Sequence, residues 1–147
     1  GWMMWNWLVG ALSAGATILL FDGFPMYKKD DLLFEFISEE KATLLGVSAK
    51  YIDALNNKKI NIKNNYDISK LRTICSTGSP LSKDGFKYVY NNIKKDVHLA
   101  SISGGTDIIS CFVLGNLSHV MFHKMLQALI LDQRVLFLVY MLNVFLL

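Results

Sequence analysis

This chain is poor in cysteine and histidine, has no strong charge excess, and has no apolar run long enough to cross a bilayer. Its 147 residues include two cysteines, Cys75 and Cys111, each inside an apolar run and without Cys-x-x-Cys spacing. That argues against a disulfide framework or a zinc ribbon, and for buried thiols in a reducing, cytoplasmic compartment. His119 and His123 lie four apart and could share one helix face, but no third ligand joins them, and His98 stands apart. The net charge is only +3, with lysines in scattered pairs at Lys28-Lys29, Lys58-Lys59 and Lys94-Lys95. These pairs read as solvated surface, and no nucleic-acid-binding module is expected. Trp2 to Leu12 is too short and too aromatic for a signal peptide, and the start at Gly1 reads as a piece of something longer. The tail Val135–Leu147 has no charge, yet falls short of the ~20 residues a spanning helix needs. A buried strand or an aberrant tail is the favoured reading over a membrane anchor; if exposed, the tail is an aggregation hazard.

What is present is a core-forming chain of one domain's length, 52% hydrophobic with a mean hydropathy of +0.33. The apolar stretch Trp5 to Leu12, followed by Ser-Ala-Gly, suits a helix packed closely on a sheet. Ala16 to Phe21, closed by Asp22-Gly23, reads as a buried strand and a turn. Leu33, Phe36 and Ile37 recur at helical spacing and predict an amphipathic helix ending near Glu40. Further strands are expected at Thr43–Val47, Leu71–Ser76, Val97–Ser101 and Ile108–Val113. Ser48 and Ser82 are N-cap candidates for helices between them, the second carrying Phe86, Val89, Tyr90 and Ile93. Alternation of strands and helices implies an α/β fold, a mostly parallel sheet with helices on both faces. Ligands of such sheets bind beyond the carboxyl ends of the strands.

Two turns rich in glycine and hydroxyls fall at that edge: Ser76-Thr-Gly-Ser-Pro80 and Ser101-Ile-Ser-Gly-Gly-Thr-Asp107. They lie about one β-α-β unit apart. Small residues and exposed backbone N–H groups let a nucleotide approach closely. Either turn alone is ordinary in an α/β protein; the pair is the informative feature.

Together with Gly1-Trp-Met-Met-Trp-Asn-Trp7, Gly15-Ala-Thr17, Ser48-Ala-Lys50 and Ile109-Ser-Cys-Phe112, these words resemble the adenylate-forming acyl-CoA synthetases, and within them the acetoacetate–CoA ligase branch. The resemblance covers residues 1–116 and implies part of the large N-terminal adenylation domain. Residues 117–147 form a divergent apolar tail. The family activates a carboxylate with ATP and passes the acyl group from the adenylate to CoA, and this branch belongs to ketone-body and lipid metabolism. Carried over position by position, Gly78, Ser79 and Pro80 match the turn against adenine, and Ser101 a residue at the adenine edge. Thr106 matches the threonine on the AMP phosphate, and Asp107 the acidic residue that holds Mg²⁺; a hydroxyl and a hard-oxygen carboxylate suit those roles. Many relatives carry Glu at the position of Asp107. Gly104 stands where acetyl-CoA synthetases carry a pocket-closing Trp, which leaves room for acetoacetate, and Met3 and Met4 match pocket-lining positions. The bland alternatives are that Gly104 only makes a turn and the methionine pair only packs in the core.

The pattern is incomplete. The upstream phosphate loop, the downstream Tyr-x-Thr-Gly-Asp segment and the domain bearing the adenylation lysine are not among these residues. Lys124 and Met125 replace an expected Gly-Glu, while Gln127 is kept. The chain alone is therefore expected to be inactive. The alternatives are another short- or medium-chain acyl-CoA ligase, or a noncatalytic remnant that binds a nucleotide weakly or a protein partner.

Overall fold

The computed structural model describes residues 2–105, 110–114 and 128–129, with side chains described over 8–105. Its central feature is a parallel sheet in the order β1-β2-β3, made of Leu44–Ser48, Thr73–Thr77 and His98–Ser101. The register aligns Leu45 with Ile74 and Leu99, and Val47 with Ser76 and Ser101. Side chains alternate across a strand, so these two rows share one face.

That face carries the core. Helix α2 (Leu32–Glu40) contributes Phe34 and Ile37, α3 (Ala49–Asn57) contributes Ile52 and Leu55, and α4 (Lys83–Tyr88) contributes Tyr88. Helix α4 continues into a wide turn, Val89–Ile93, which adds Val89 and Ile93. The helices begin where their serines direct. Ser48 Oγ accepts from the Tyr51 amide at 3.2 Å, and Ser82 Oγ from the Gly85 amide at 3.0 Å. Tyr88 is buried, donates from its hydroxyl to the Ile60 carbonyl at 2.7 Å, and has its pKa pushed up to about 12, chiefly by burial.

The expected parallel sheet with helices is therefore present, and each of the three strands lies within a few residues of the run that predicted it. The opposite face of β1 (Leu44, Gly46 and Ser48) is exposed. Helix α1 spans Trp2–Ser13, but instead of close packing it leaves Val9 and Leu12 exposed.

Two expectations need correction. Ala16–Phe21 has the composition of a strand but forms no ladder. Leu19 and Phe21 instead line a groove of about 390 Å³ beside Leu44–Ser48 of β1. A strand exists only when its backbone groups pair with a neighbouring strand, and this run has no strand partner among the described residues. The second correction is a separate antiparallel sheet. Ser103–Gly105 forms β4, paired with β5 (Ser110–Leu114), which pairs in turn with β6 (Ala128–Leu129). The fifth expected strand thus leaves the parallel sheet, because only eight residues separate β5 from β3 in the sequence rather than the long crossover that parallel pairing requires.

Candidate functional site

Both glycine- and hydroxyl-rich turns emerge at the carboxyl edge of the parallel sheet. Beyond β2 the chain turns through Gly78, Ser79 and Pro80, all exposed together with Thr77. Gly78 has φ +86°, a left-handed conformation that side chains disfavour, and nothing lies within 4 Å of where its Cβ would stand. The result is an open backbone platform that a flat ligand could approach closely.

Leu81 anchors the end of the platform. Its side chain is buried, and its amide donates to Ser101 Oγ at 3.2 Å. One residue on, the Ile102 amide donates to the Ser76 carbonyl at 2.7 Å and ties the ends of β2 and β3 together. Behind the platform, the Ser82 hydroxyl donates to Asp53 Oδ1 at 3.3 Å while capping α4. Gly85 admits the Leu81 side chain: a Cβ at Gly85 would lie 2.7 Å from Leu81 Cδ1.

Gly78, Ser79, Pro80 and Ser101 are thus brought together. The link runs through Leu81, which the sequence reading did not single out. Ser101 itself is buried under the turn. Ser76 lies beside it in register, fully buried, and its Oγ has no hydrogen-bond partner among the described residues. Gly104 sits in β4 three residues beyond Ser101, exposed, opposite Cys111 and next to a register shift between Ser103 and Gly104. Such irregularities re-aim a strand near its end.

Thr106 and Asp107 lie outside the described residues, although Gly105 and Ser110 on either side of 106–109 are register partners. The side chains of Met3 and Met4 also lie outside them; their backbone belongs to α1. No group of three His, Cys, Asp or Glu among the described residues could hold a metal ion. A lone carboxylate with a hydroxyl still suits Mg²⁺, which takes one or two carboxylates and completes its shell with phosphates and water.

The platform is open surface rather than a cavity. A depression of about 550 Å³ lies elsewhere, lined by Lys63, Tyr66, Asp67, Tyr90 and Lys94 near the segments that lead into β2 and β3. Lys94 is committed there to the carbonyls of Ser69 and Leu71 at 2.8 and 2.7 Å, and Lys63 to that of Asn91 at 2.6 Å.

A family profile described as AMP-binding enzyme matches residues 2–121. The chain belongs to the AMP-binding enzyme family. The match runs through the platform, the Ser101 strand and the β4–β5 pair. Among individual relatives, the acetoacetyl-coenzyme A synthetase of Rhizobium meliloti (strain 1021) is 54% identical over 116 residues, 79% of this chain and 18% of that protein. The acetoacetyl-CoA synthetase of Gallus gallus is 44% identical over 128 residues, 87% of this chain and 19% of that protein. This AMP-binding chain therefore spans less than a fifth of the length of the curated relatives it matches.

Solved structures agree. An acetoacetyl-CoA synthetase from Streptomyces lividans superposes with a TM-score of 0.72 at 39% identity, covering 78% of this chain and 18% of that one. The anthranilate CoA ligase AuaEII, in complex with anthranoyl-AMP, shares the fold at a TM-score of 0.60 and 19% identity, covering 73% of this chain and 20% of that one. No described helix is long and apolar enough to cross a membrane.

Proposed function

We propose that this segment supplies the base-side platform and part of the acyl pocket of a cytoplasmic acetoacetate–CoA ligase. That enzyme joins acetoacetate and ATP into acetoacetyl-AMP and pyrophosphate, then transfers the acyl group to CoA. The observation that carries the reading is the exposed, left-handed Gly78 platform at the carboxyl edge of β2. It lies in a chain 54% identical to an acetoacetyl-coenzyme A synthetase.

Each residue has a physical task in that reaction. Gly78, Ser79 and Pro80 offer backbone and ring surface to the adenine. The Thr106 hydroxyl donates to an α-phosphate oxygen. Asp107, with Thr106 beside it, would hold Mg²⁺, which neutralises charge on the phosphates. Gly104 leaves free the volume that a larger side chain would take from the acid, and Met3 and Met4 border the same space. We take 1–116 as the adenylation-domain segment and 117–147 as a divergent tail. The 147 residues by themselves lack the phosphate loop and the adenylation lysine, and are expected to show no ligase activity.

The test is acid-dependent ATP–pyrophosphate exchange by the complete protein that carries this segment, over acetoacetate, acetate and butyrate. Acetoacetate should give the highest kcat/KM, and Asp107→Ala should lower Mg²⁺-dependent exchange by about 10²-fold or more. Preference for another acid would move the protein to a different acyl-CoA ligase. Unchanged exchange in Asp107→Ala would remove that residue from the metal site.

A further inference from the structure

Ser101 is oriented away from solvent, at 3% exposure, while the platform Thr77–Pro80 on the neighbouring strand's end is exposed. Its hydroxyl oxygen accepts from the Leu81 amide at 3.2 Å. This amide belongs to the residue that closes the turn and precedes the α4 cap. We propose that Ser101 is a positioning residue, which sets the height and tilt of the Gly78–Pro80 platform through Leu81 rather than by touching the nucleotide.

Three observations converge on it. The Ile102 amide donates to the Ser76 carbonyl at 2.7 Å, so β3 and β2 are joined immediately beside the clamp. Leu81 has little freedom of its own: its side chain is buried and meets Gly85, which has no Cβ at the one place where a Cβ would lie 2.7 Å from Leu81 Cδ1. Finally, the next residue is held from behind, Ser82 by Asp53 at 3.3 Å. The amide of Leu81 is thus the point where two strand ends and a helix start meet. A buried amide that loses its acceptor must find water or shift, and the shift available here moves the exposed platform.

The role rests on the ligase reading for the identity of the ligand, but not for the clamp itself. The experiment therefore has two arms on the complete protein, using Ser101→Ala, Ser101→Cys and Ser101→Thr. Hydrogen–deuterium exchange without ligand reads the clamp. Peptides containing Leu81 should exchange about tenfold faster in the Ala and Cys variants, because a thiol is a poor acceptor, and be restored toward wild type by Thr. Steady-state kinetics read its consequence: KM for ATP should rise about three- to tenfold in Ala and Cys, with kcat and KM for the acid nearly unchanged.

Unchanged exchange at Leu81 in Ser101→Ala would overturn the clamp. Faster exchange with an unchanged KM for ATP would overturn its link to the nucleotide, and a fall in kcat alone would place Ser101 at the reacting atoms instead. A wild-type protein that uses no ATP would refute the ligase reading and the nucleotide link together, while the exchange arm would still decide the clamp.

Discussion

Ser76 and Ser101 are register partners on adjacent strands, equally buried, and opposite in their chemistry. Ser101 accepts a backbone amide, whereas Ser76 Oγ has no hydrogen-bond partner among the described residues. Removing a hydroxyl that makes no bond costs nothing in bonding and relieves its desolvation. Ser76→Ala should therefore leave stability unchanged or raise it by up to about 1 kcal/mol. Ser101→Ala should lower it by about 1–3 kcal/mol, because it strands the Leu81 amide. Denaturant midpoints of the two variants in the complete protein would show the contrast; a clear loss in Ser76→Ala would mean that its hydroxyl is bonded after all. The roles of the two serines could not be separated in the sequence, where both sit in small-residue turns. The partner that distinguishes them is 20 residues away from Ser101.

At the scale of elements, the helix starts were legible and the strand partners were not. Ser48 and Ser82 precede apolar-periodic segments, and each caps its helix through the amide three residues on. Capping is a local event, so a local reading finds it. Ser82→Ala should cost about 1 kcal/mol, while Ser82→Asn, which keeps an acceptor, should cost less. Equal losses in chemical denaturation would shift the weight from the cap to the Asp53 contact. Strand β4 escaped notice because Ser103-Gly-Gly105 has none of the β-branched or aromatic residues that mark strands. Pairing with Ser110–Leu114 makes it a strand. Ala16–Phe21 is the converse: its composition is right, and no strand among the described residues pairs with it.

For the whole molecule, the main feature is apolar surface left uncovered. Leu20 is 75% exposed, Phe24 65%, Tyr27 61% and Leu12 60%. Monomeric soluble proteins rarely leave large contiguous apolar patches open. Relatives more than four times as long have chain to lay on such a surface. The 147-residue chain produced alone should therefore bind an apolar dye and self-associate in sedimentation. Leu20→Glu combined with Phe24→Glu should weaken both. A monomer without dye binding would mean that this surface closes on itself.

By itself, the sequence determined what depends on neighbours a few residues apart. Helical and strand periodicities, the two serine caps, the open Gly78 turn and the words that place the chain among AMP-binding enzymes all belong to that range. The tertiary structure alone decided which strands found partners, that β4 and β5 fold back as an antiparallel pair, and that Ser101 faces Leu81 from beneath the platform. Periodicity, capping and turn conformation arise from short-range sterics and hydrogen bonds. Strand pairing and the choice of a hydroxyl's partner are set by contacts between segments that only the folded chain brings together.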